Sequence, residues 1–140
     1  MRLIRGIALI GASCALTGCG TSQHDQVQAK VMQFSTATAA RDYQTICDQV
    51  LAPALLAHVA PPAGIGCVQA LRIYLGSVQS PTLSIGRISI SGDHASVIAL
   101  TGARGQQASL DAIELLQTSH GWRISSLGSP LKAATRGKAG

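Results

Sequence analysis

Four cysteines and four histidines are the residues of this chain whose types most often bind metals or act as nucleophiles. None of the histidines has another metal ligand two or four residues away; they are His24, His58, His94 and His120. The sequence contains no His-Glu-x-x-His pattern, no Gly-x-Ser-x-Gly pattern and no phosphate-binding Gly-Lys loop. We therefore expect no metal site, no cofactor and none of these catalytic centres.

The N-terminal residues have the order of a targeting signal. Arg2 and Arg5 precede an apolar run over 7–16, which is shorter than the roughly 20 apolar residues of a membrane-spanning helix. The segment Leu16-Thr17-Gly18-Cys19 that follows resembles the lipobox of bacterial lipoproteins. This resemblance implies cleavage before Cys19, a diacylglyceryl group on its thiol, and attachment to a membrane on the side facing away from the cytoplasm. A transmembrane helix and an ordinary secretory signal are the alternatives.

The lipoprotein resemblance also implies different roles for the four cysteines. Cys14 would leave with the signal peptide and Cys19 would carry lipid, so Cys47 and Cys67 remain. An even pair in an oxidising compartment favours a disulfide. Two buried thiols or a metal pair are the alternatives, although no histidine or other cysteine lies at ligand spacing from either residue.

The formal net charge of +5 comes from the two ends of the chain. Between 25 and 127 the six basic residues are matched by six acidic ones. A neutral domain argues against a nucleic-acid partner. We expect a signal peptide over 1–18, the lipidated cysteine and a tether over 19–24, one domain over 25–127, and a disordered basic tail over 128–140.

Apolar residues at helical spacing predict three helices in the first half of the domain. The first covers 25–41, the second follows an N-terminal cap at Asp42, and the third covers 65–78. Pro53 should kink the second helix or begin a new turn, and the segment Pro61-Pro62-Ala63-Gly64 should end it. The expected disulfide would then join the second helix to the third.

The second half of the domain alternates between apolar and polar residues, as strands do. We expect strands over 83–90, 95–103, 108–118 and 122–127, with a bulge near Gly86 where the alternation changes phase. Short connections predict an antiparallel meander. Three helices packed on one face of a curved four-stranded antiparallel sheet make an α+β domain.

Three short segments carry a resemblance to a known superfamily. They are Ala40-Arg41-Asp42-Tyr43 at the end of the first helix, Gly92-Asp93-His94-Ala95 between two strands, and the final hairpin over 119–124. With this element order they resemble the nuclear transport factor 2-like superfamily, which includes ketosteroid isomerase-like and polyketide cyclase-like members. The resemblance covers about 25–127 and implies a cone-shaped sheet whose helices close a cavity.

If the chain resembles the isomerases of that superfamily, the resemblance implies a carboxylate base and hydrogen-bond donors in an apolar pocket. Asp111 and Glu114 are the candidate bases, and their spacing on one strand points them to opposite faces, so only one can enter the cone. We take Glu114 as the pocket candidate, with Tyr43, Tyr74 and Trp122 as donors. A solvated carboxylate and aromatic residues of the core or rim are the alternative explanation.

The sequence thus favours a lipid-anchored extracytoplasmic domain of the cell envelope, in the cell membrane or in the outer membrane of a Gram-negative cell. We expect it to contact the membrane through Cys19 and, without being an enzyme, to bind a small apolar ligand or an envelope protein. The alternatives are a cyclase- or isomerase-like enzyme with its active site in the cone, and a purely structural envelope lipoprotein. The side chains that face the cavity distinguish these alternatives.

Overall fold

The computed structural model describes residues 20–59 and 64–130, apart from the side chains of the last two. The predicted signal peptide, Cys19, most of the proline-containing break and the last ten residues of the predicted tail lie outside the described residues. Within the two described ranges, no helix is both long and apolar enough to cross a membrane.

The described part of the helical half contains four α-helices and one π-helical turn. They are α1 (Gln23–Ala40), α2 (Tyr43–Thr45), the π-helical turn Ile46–Val50, α3 (Pro53–Val59) and α4 (Cys67–Leu75). Ser22 caps α1 by accepting a hydrogen bond from the backbone N–H of Asp25 at 3.1 Å. The helix ends where Arg41 adopts a left-handed conformation with φ of 58°.

The predicted cap at Asp42 is present. Its carboxylate accepts hydrogen bonds from the hydroxyl and the backbone N–H of Thr45, at 2.7 Å and 3.1 Å. These bonds lower the pKa of Asp42.

Of the two outcomes predicted at Pro53, a kink or a new turn, the second occurs. The chain is extended at Leu51, and a separate helix, α3, begins at the proline. The predicted second helix is therefore divided into α2 with its π-helical turn and α3.

The sheet is the expected four-stranded antiparallel meander, with the order β1-β2-β3-β4. The strands are β1 (Thr82–Ser91), β2 (His94–Gly102), β3 (Ser109–Thr118) and β4 (Gly121–Pro130). The pairing of β1 with β2 slips between Ile85 and Arg87, which places the predicted bulge at Gly86. Two further slips on β3 and β4 were not expected, and β4 continues three residues beyond its predicted end.

One face of the sheet packs against the helices. Val27 and Val31 of α1 are fully buried in a cluster with inner-face residues of β2, β3 and β4; these include Val97, Ala99, Ile113, Leu115 and Ile124. The segment that follows the π-helical turn is held against β4, because the backbone N–H of Ala52 donates to the carbonyl of Ile124 at 2.8 Å. This packing fixes the helices over the inner face of the sheet.

The expected disulfide is present between Cys47 and Cys67, whose Cα atoms are 6.1 Å apart. Cys47 belongs to the π-helical turn and Cys67 begins α4. The bridge therefore closes a loop that contains α3, and it joins the π-helical turn to the start of α4.

Candidate functional site

The most apolar of the cavities described lies between the helices and the end of β4, and we call it the apolar chamber. Its volume is about 390 Å³. Aliphatic and aromatic side chains make most of its wall, among them Phe34, Leu51, Leu55, Leu71, Leu75 and Leu127. It follows that α1, α3, α4 and β4 each supply part of the wall, so the chamber depends on how the helices are held over the sheet.

Three residues bring polar atoms to the apolar chamber. They are His58 at the end of α3, Tyr74 near the end of α4, and Ser126 on β4. Tyr74 is 66 % exposed, so it stands at the rim of the chamber. The chamber thus combines an apolar wall with a few polar groups, a composition typical of small-molecule sites.

A second, more polar space adjoins the chamber, and we call it the Asp111 cleft. It consists of two neighbouring cavities of about 210 and 190 Å³, which share Phe34 and Thr101 as lining residues. Asp111 lines the first of these cavities and Ser109 lines the second. Phe34 and Leu127 line both the cleft and the apolar chamber. The two spaces are therefore adjacent parts of one cavity system between α1 and the sheet.

The carboxylate of Asp111 is held by two hydroxyl groups. Thr101 donates one hydrogen bond to it, and the Ser109 hydroxyl lies 3.0 Å and 3.2 Å from its two oxygens. The strand register explains the cluster, because Thr101 on β2 pairs with Ser109 on β3, two residues before Asp111. Since alternate residues of a strand face the same way, Asp111 shares the inner face with buried Ile113.

A glycine allows β4 to approach β3 closely beside the cleft. Gly128 lines the cleft, and a Cβ atom at this position would lie 2.5 Å from the backbone oxygen of Ala112. Any side chain there would force the two strands apart. The position therefore requires glycine, and the shape of the cleft depends on it.

Glu114 does not lie in the pocket for which we expected it. The hydroxyl of Ser96 donates to its carboxylate at 2.8 Å. Ser96 lies between Ala95 and Val97, which are buried on the inner face, so Ser96 and Glu114 are on the outer face. The two carboxylates face opposite ways, as their spacing predicts, but Asp111 and not Glu114 is the one that faces the cavity.

Two of the three predicted donors belong to the core. Tyr43 is 7 % exposed and Trp122 is 2 % exposed, and both are members of the main apolar cluster. Neither lines the apolar chamber or the Asp111 cleft. The indole Nε1 of Trp122 is buried without a hydrogen-bond partner among the described residues. Of the predicted donors, only Tyr74 lines either of these spaces.

A third cavity, of about 540 Å³, lies beside the disulfide and is lined by residues that include Cys47, His120 and Arg123. Arg123 donates to the backbone oxygen of Asp48 at 2.6 Å. Burial, and to a smaller extent the charge of Arg123, lowers the pKa of nearby Lys30. Because both cations donate to backbone oxygens, their contacts here are structural.

The residues described include no group of three or more histidine, cysteine, aspartate or glutamate side chains placed to hold a metal ion. The cavity system that they do form offers a carboxylate, hydroxyl groups and an apolar wall. This set can bind an organic molecule through burial of apolar surface and through hydrogen bonds at Asp111.

Solved structures share this architecture at low sequence identity. An NTF2-like protein of unknown function from Shewanella baltica has a TM-score of 0.55 at 15% identity, with 81% of this chain and 100% of that chain covered. A second, from Silicibacter pomeroyi, has a TM-score of 0.52 at 14% identity, with 74% and 90% covered. A proposed dehydratase of the NTF2-like family from Streptomyces avermitilis has a TM-score of 0.50 at 21% identity, with 78% and 96% covered.

No protein-family model matches the sequence, and no curated protein matches it either. At these identities the likeness to solved structures concerns the fold alone. All three neighbours superpose on about three quarters or more of this chain. This α+β domain therefore has the nuclear transport factor 2-like fold.

Proposed function

We propose that this protein is a lipid-anchored extracytoplasmic domain that binds a small apolar ligand in the apolar chamber. The observation that carries the proposal is the chamber itself. Its volume of about 390 Å³ falls within the range of roughly 300–1,000 Å³ that is typical of ligand pockets. Burial of a ligand against the leucine and phenylalanine side chains of its wall supplies the binding free energy.

Two features support a position in the cell envelope. The segment Leu16-Thr17-Gly18-Cys19 follows a charged start and an apolar run, as in bacterial lipoproteins. The disulfide between Cys47 and Cys67 fits an oxidising compartment. Because α1 begins at Gln23, only three residues would separate a lipid on Cys19 from the first helix, and the domain would be held close to the membrane.

The geometry favours binding over the other two functions. A purely structural domain has no need of a chamber of this size. An isomerase- or cyclase-like enzyme needs donors that face a substrate carbonyl in its pocket, but the predicted donors Tyr43 and Trp122 lie in the core and Glu114 lies on the outer face. The Streptomyces avermitilis neighbour is a proposed dehydratase, so the fold is compatible with an enzyme. Asp111 is the residue on which such an activity would depend here.

Binding to the apolar chamber can be tested with N-phenylnaphthylamine, a neutral fluorescent probe that responds to apolar surroundings. We expect a saturable rise in fluorescence with the native protein and its loss in Leu55→Trp, since Leu55 lines the chamber and the larger ring fills it. Leu56→Trp is the matched control, because Leu56 is the next residue of α3 and lines the cavity beside the disulfide. Equal binding by both variants, or none by the native protein, would contradict the proposal.

The anchor has an independent test. Mass spectrometry of the protein extracted from membranes should give an N-terminal Cys19 that carries a diacylglyceryl group, and Cys19→Ser should abolish both the modification and membrane attachment. An unmodified mature protein released from the membrane fraction would overturn the lipoprotein assignment, whatever the result of the ligand experiment.

A further inference from the structure

Asp111 places a carboxylate inside the cavity system. The residue is half-buried, and both of its oxygens lie within hydrogen-bond distance of the Ser109 hydroxyl. Thr101 donates a further hydrogen bond to the same carboxylate. An ionised carboxylate has about four acceptor positions, so these hydroxyl groups orient it without using its full capacity to accept hydrogen bonds.

No lysine, arginine or histidine among the described residues forms an ion pair with this carboxylate. The ion pairs among the described residues join His24 to Asp25 and His94 to Asp93, and neither includes Asp111. No lysine, arginine or histidine is among the residues that line the Asp111 cleft. Within 20–59 and 64–130, Asp111 is thus a half-buried carboxylate without an ion pair, which favours a positively charged or donor-bearing group in the adjoining space.

The cleft is within reach of a ligand held in the apolar chamber. Phe34 and Leu127 line both spaces, so an apolar body packed against these two side chains can direct a polar end toward Asp111. A protonated primary amine carries three donors. The Asp111 carboxylate and the hydroxyl oxygens of Thr101 and Ser109 are three acceptors placed together.

We propose that the Asp111 cleft is a cation subsite, and that the natural ligand is an amphipathic amine whose apolar part occupies the apolar chamber. This inference rests on the proposed function and adds the chemical class of the ligand. The same geometry disfavours fatty acids and other apolar carboxylates, because their charge would approach that of Asp111 in a partly buried site.

Three compounds with the same ring system test the inference by calorimetry: naphthylmethylamine, naphthylmethanol and naphthylacetate. We expect the amine to bind about tenfold more tightly than the alcohol, as one charge-assisted contact allows, and the carboxylate to bind most weakly. Asp111→Asn should remove the advantage of the amine and leave the alcohol unchanged. Glu114→Gln makes the same change of charge on the outer face and should preserve the order of the three affinities.

The relative affinities of the three compounds for the native protein test the cation subsite without any variant. The test therefore remains valid even if Asp111→Asn fails to fold. Equal affinity for the amine and the carboxylate, or binding of N-phenylnaphthylamine without any binding of the amine, would overturn the cation subsite and leave the apolar chamber intact. If the native protein binds neither that neutral probe nor any of the three compounds, the proposed function fails as well. Added salt should weaken binding of the amine and not of the alcohol.

Discussion

Asp111 and Glu114 lie three residues apart on β3 and accept hydrogen bonds from hydroxyl groups on opposite faces of the sheet. The Asp111 carboxylate faces the cavity between α1 and the sheet, whereas Glu114 faces away from it with Ser96. One strand thus carries the carboxylate that can reach a ligand and a second carboxylate that cannot. Glu114 is therefore a control for every substitution of Asp111.

The first prediction concerns the close approach of β3 and β4. Gly128→Ala should lower the free energy of unfolding by about 1–3 kcal/mol, because its Cβ would lie 2.5 Å from the backbone oxygen of Ala112. Urea denaturation measures the change. Gly20→Ala is the control, since a Cβ at that position meets no atom within 4 Å and the residue lies before α1. If the two variants unfold at the same urea concentration, the strands do not approach as described.

The second prediction concerns the disulfide. Its cysteines are 20 residues apart, and closure of a loop of that length stabilises a protein by about 3 kcal/mol in the chain-entropy model. Reduction should lower the free energy of unfolding by an amount of this order. It should also weaken binding of N-phenylnaphthylamine, because the loop contains α3, whose Leu55 lines the apolar chamber.

The matched control for the disulfide is a double variant, Cys47→Ser with Cys67→Ser. It should be as unstable as the reduced native protein, and its unfolding curve should not respond to reductant. A native protein whose urea midpoint is the same with and without reductant would contradict the prediction.

The third prediction follows from the cap at Asp42. Hydrogen bonds from the hydroxyl and then from the backbone of Thr45 hold the pKa of Asp42 below its ordinary value of 3.8. Because the folded-state pKa is depressed, the stabilisation is fully present above the unfolded-state pKa and is lost as the pH falls through the folded-state pKa. Asp42→Asn keeps an acceptor oxygen but cannot titrate, so its stability should fall less steeply below about pH 4.

Urea denaturation of both proteins at a series of acidic pH values measures this difference. Thr45→Val removes the hydroxyl donor and should give an intermediate dependence on pH, because the backbone hydrogen bond to Asp42 remains. Superimposable pH profiles for the native protein and Asp42→Asn would show that the cap does not depend on the charge.

Local signals in the sequence were sufficient to predict most of the elements. The cap at Asp42, the interruption of the second helix at Pro53 and the bulge at Gly86 each depend on residues within a few positions along the chain. The slips in pairing between β3 and β4 depend on how two strands meet over the core. No local pattern on either strand indicates them.

Local signals were not sufficient to predict which of the two carboxylates, Asp111 or Glu114, faces the cavity. The strand that carries them has apolar residues on both faces, with Ile113 and Leu115 inside and Leu110 and Leu116 outside. Alternation therefore predicts that the two carboxylates face opposite ways but does not indicate which of them faces the helices. The position of Trp122 could not be predicted from its residue type either. Its indole N–H made it a candidate donor, but its large apolar ring is buried in the core.

The last prediction tests the rim of the apolar chamber. Tyr74 and Ile73 are consecutive residues of α4 with similar exposure, 66 % and 63 %, but of these two only Tyr74 lines the chamber. Tyr74→Ala should weaken binding of N-phenylnaphthylamine by about three- to tenfold, the effect of losing one aromatic contact. Ile73→Ala should leave the affinity unchanged.

Both substitutions should change the free energy of unfolding by less than about 0.5 kcal/mol, as is usual for exposed side chains. The comparison therefore separates a contact with the ligand from a general effect on α4. If Ile73→Ala weakens binding as much as Tyr74→Ala, the probe binds to the exposed surface of α4 and not within the chamber. If only Tyr74→Ala weakens it, the tyrosine ring contacts the bound probe at the rim of the chamber.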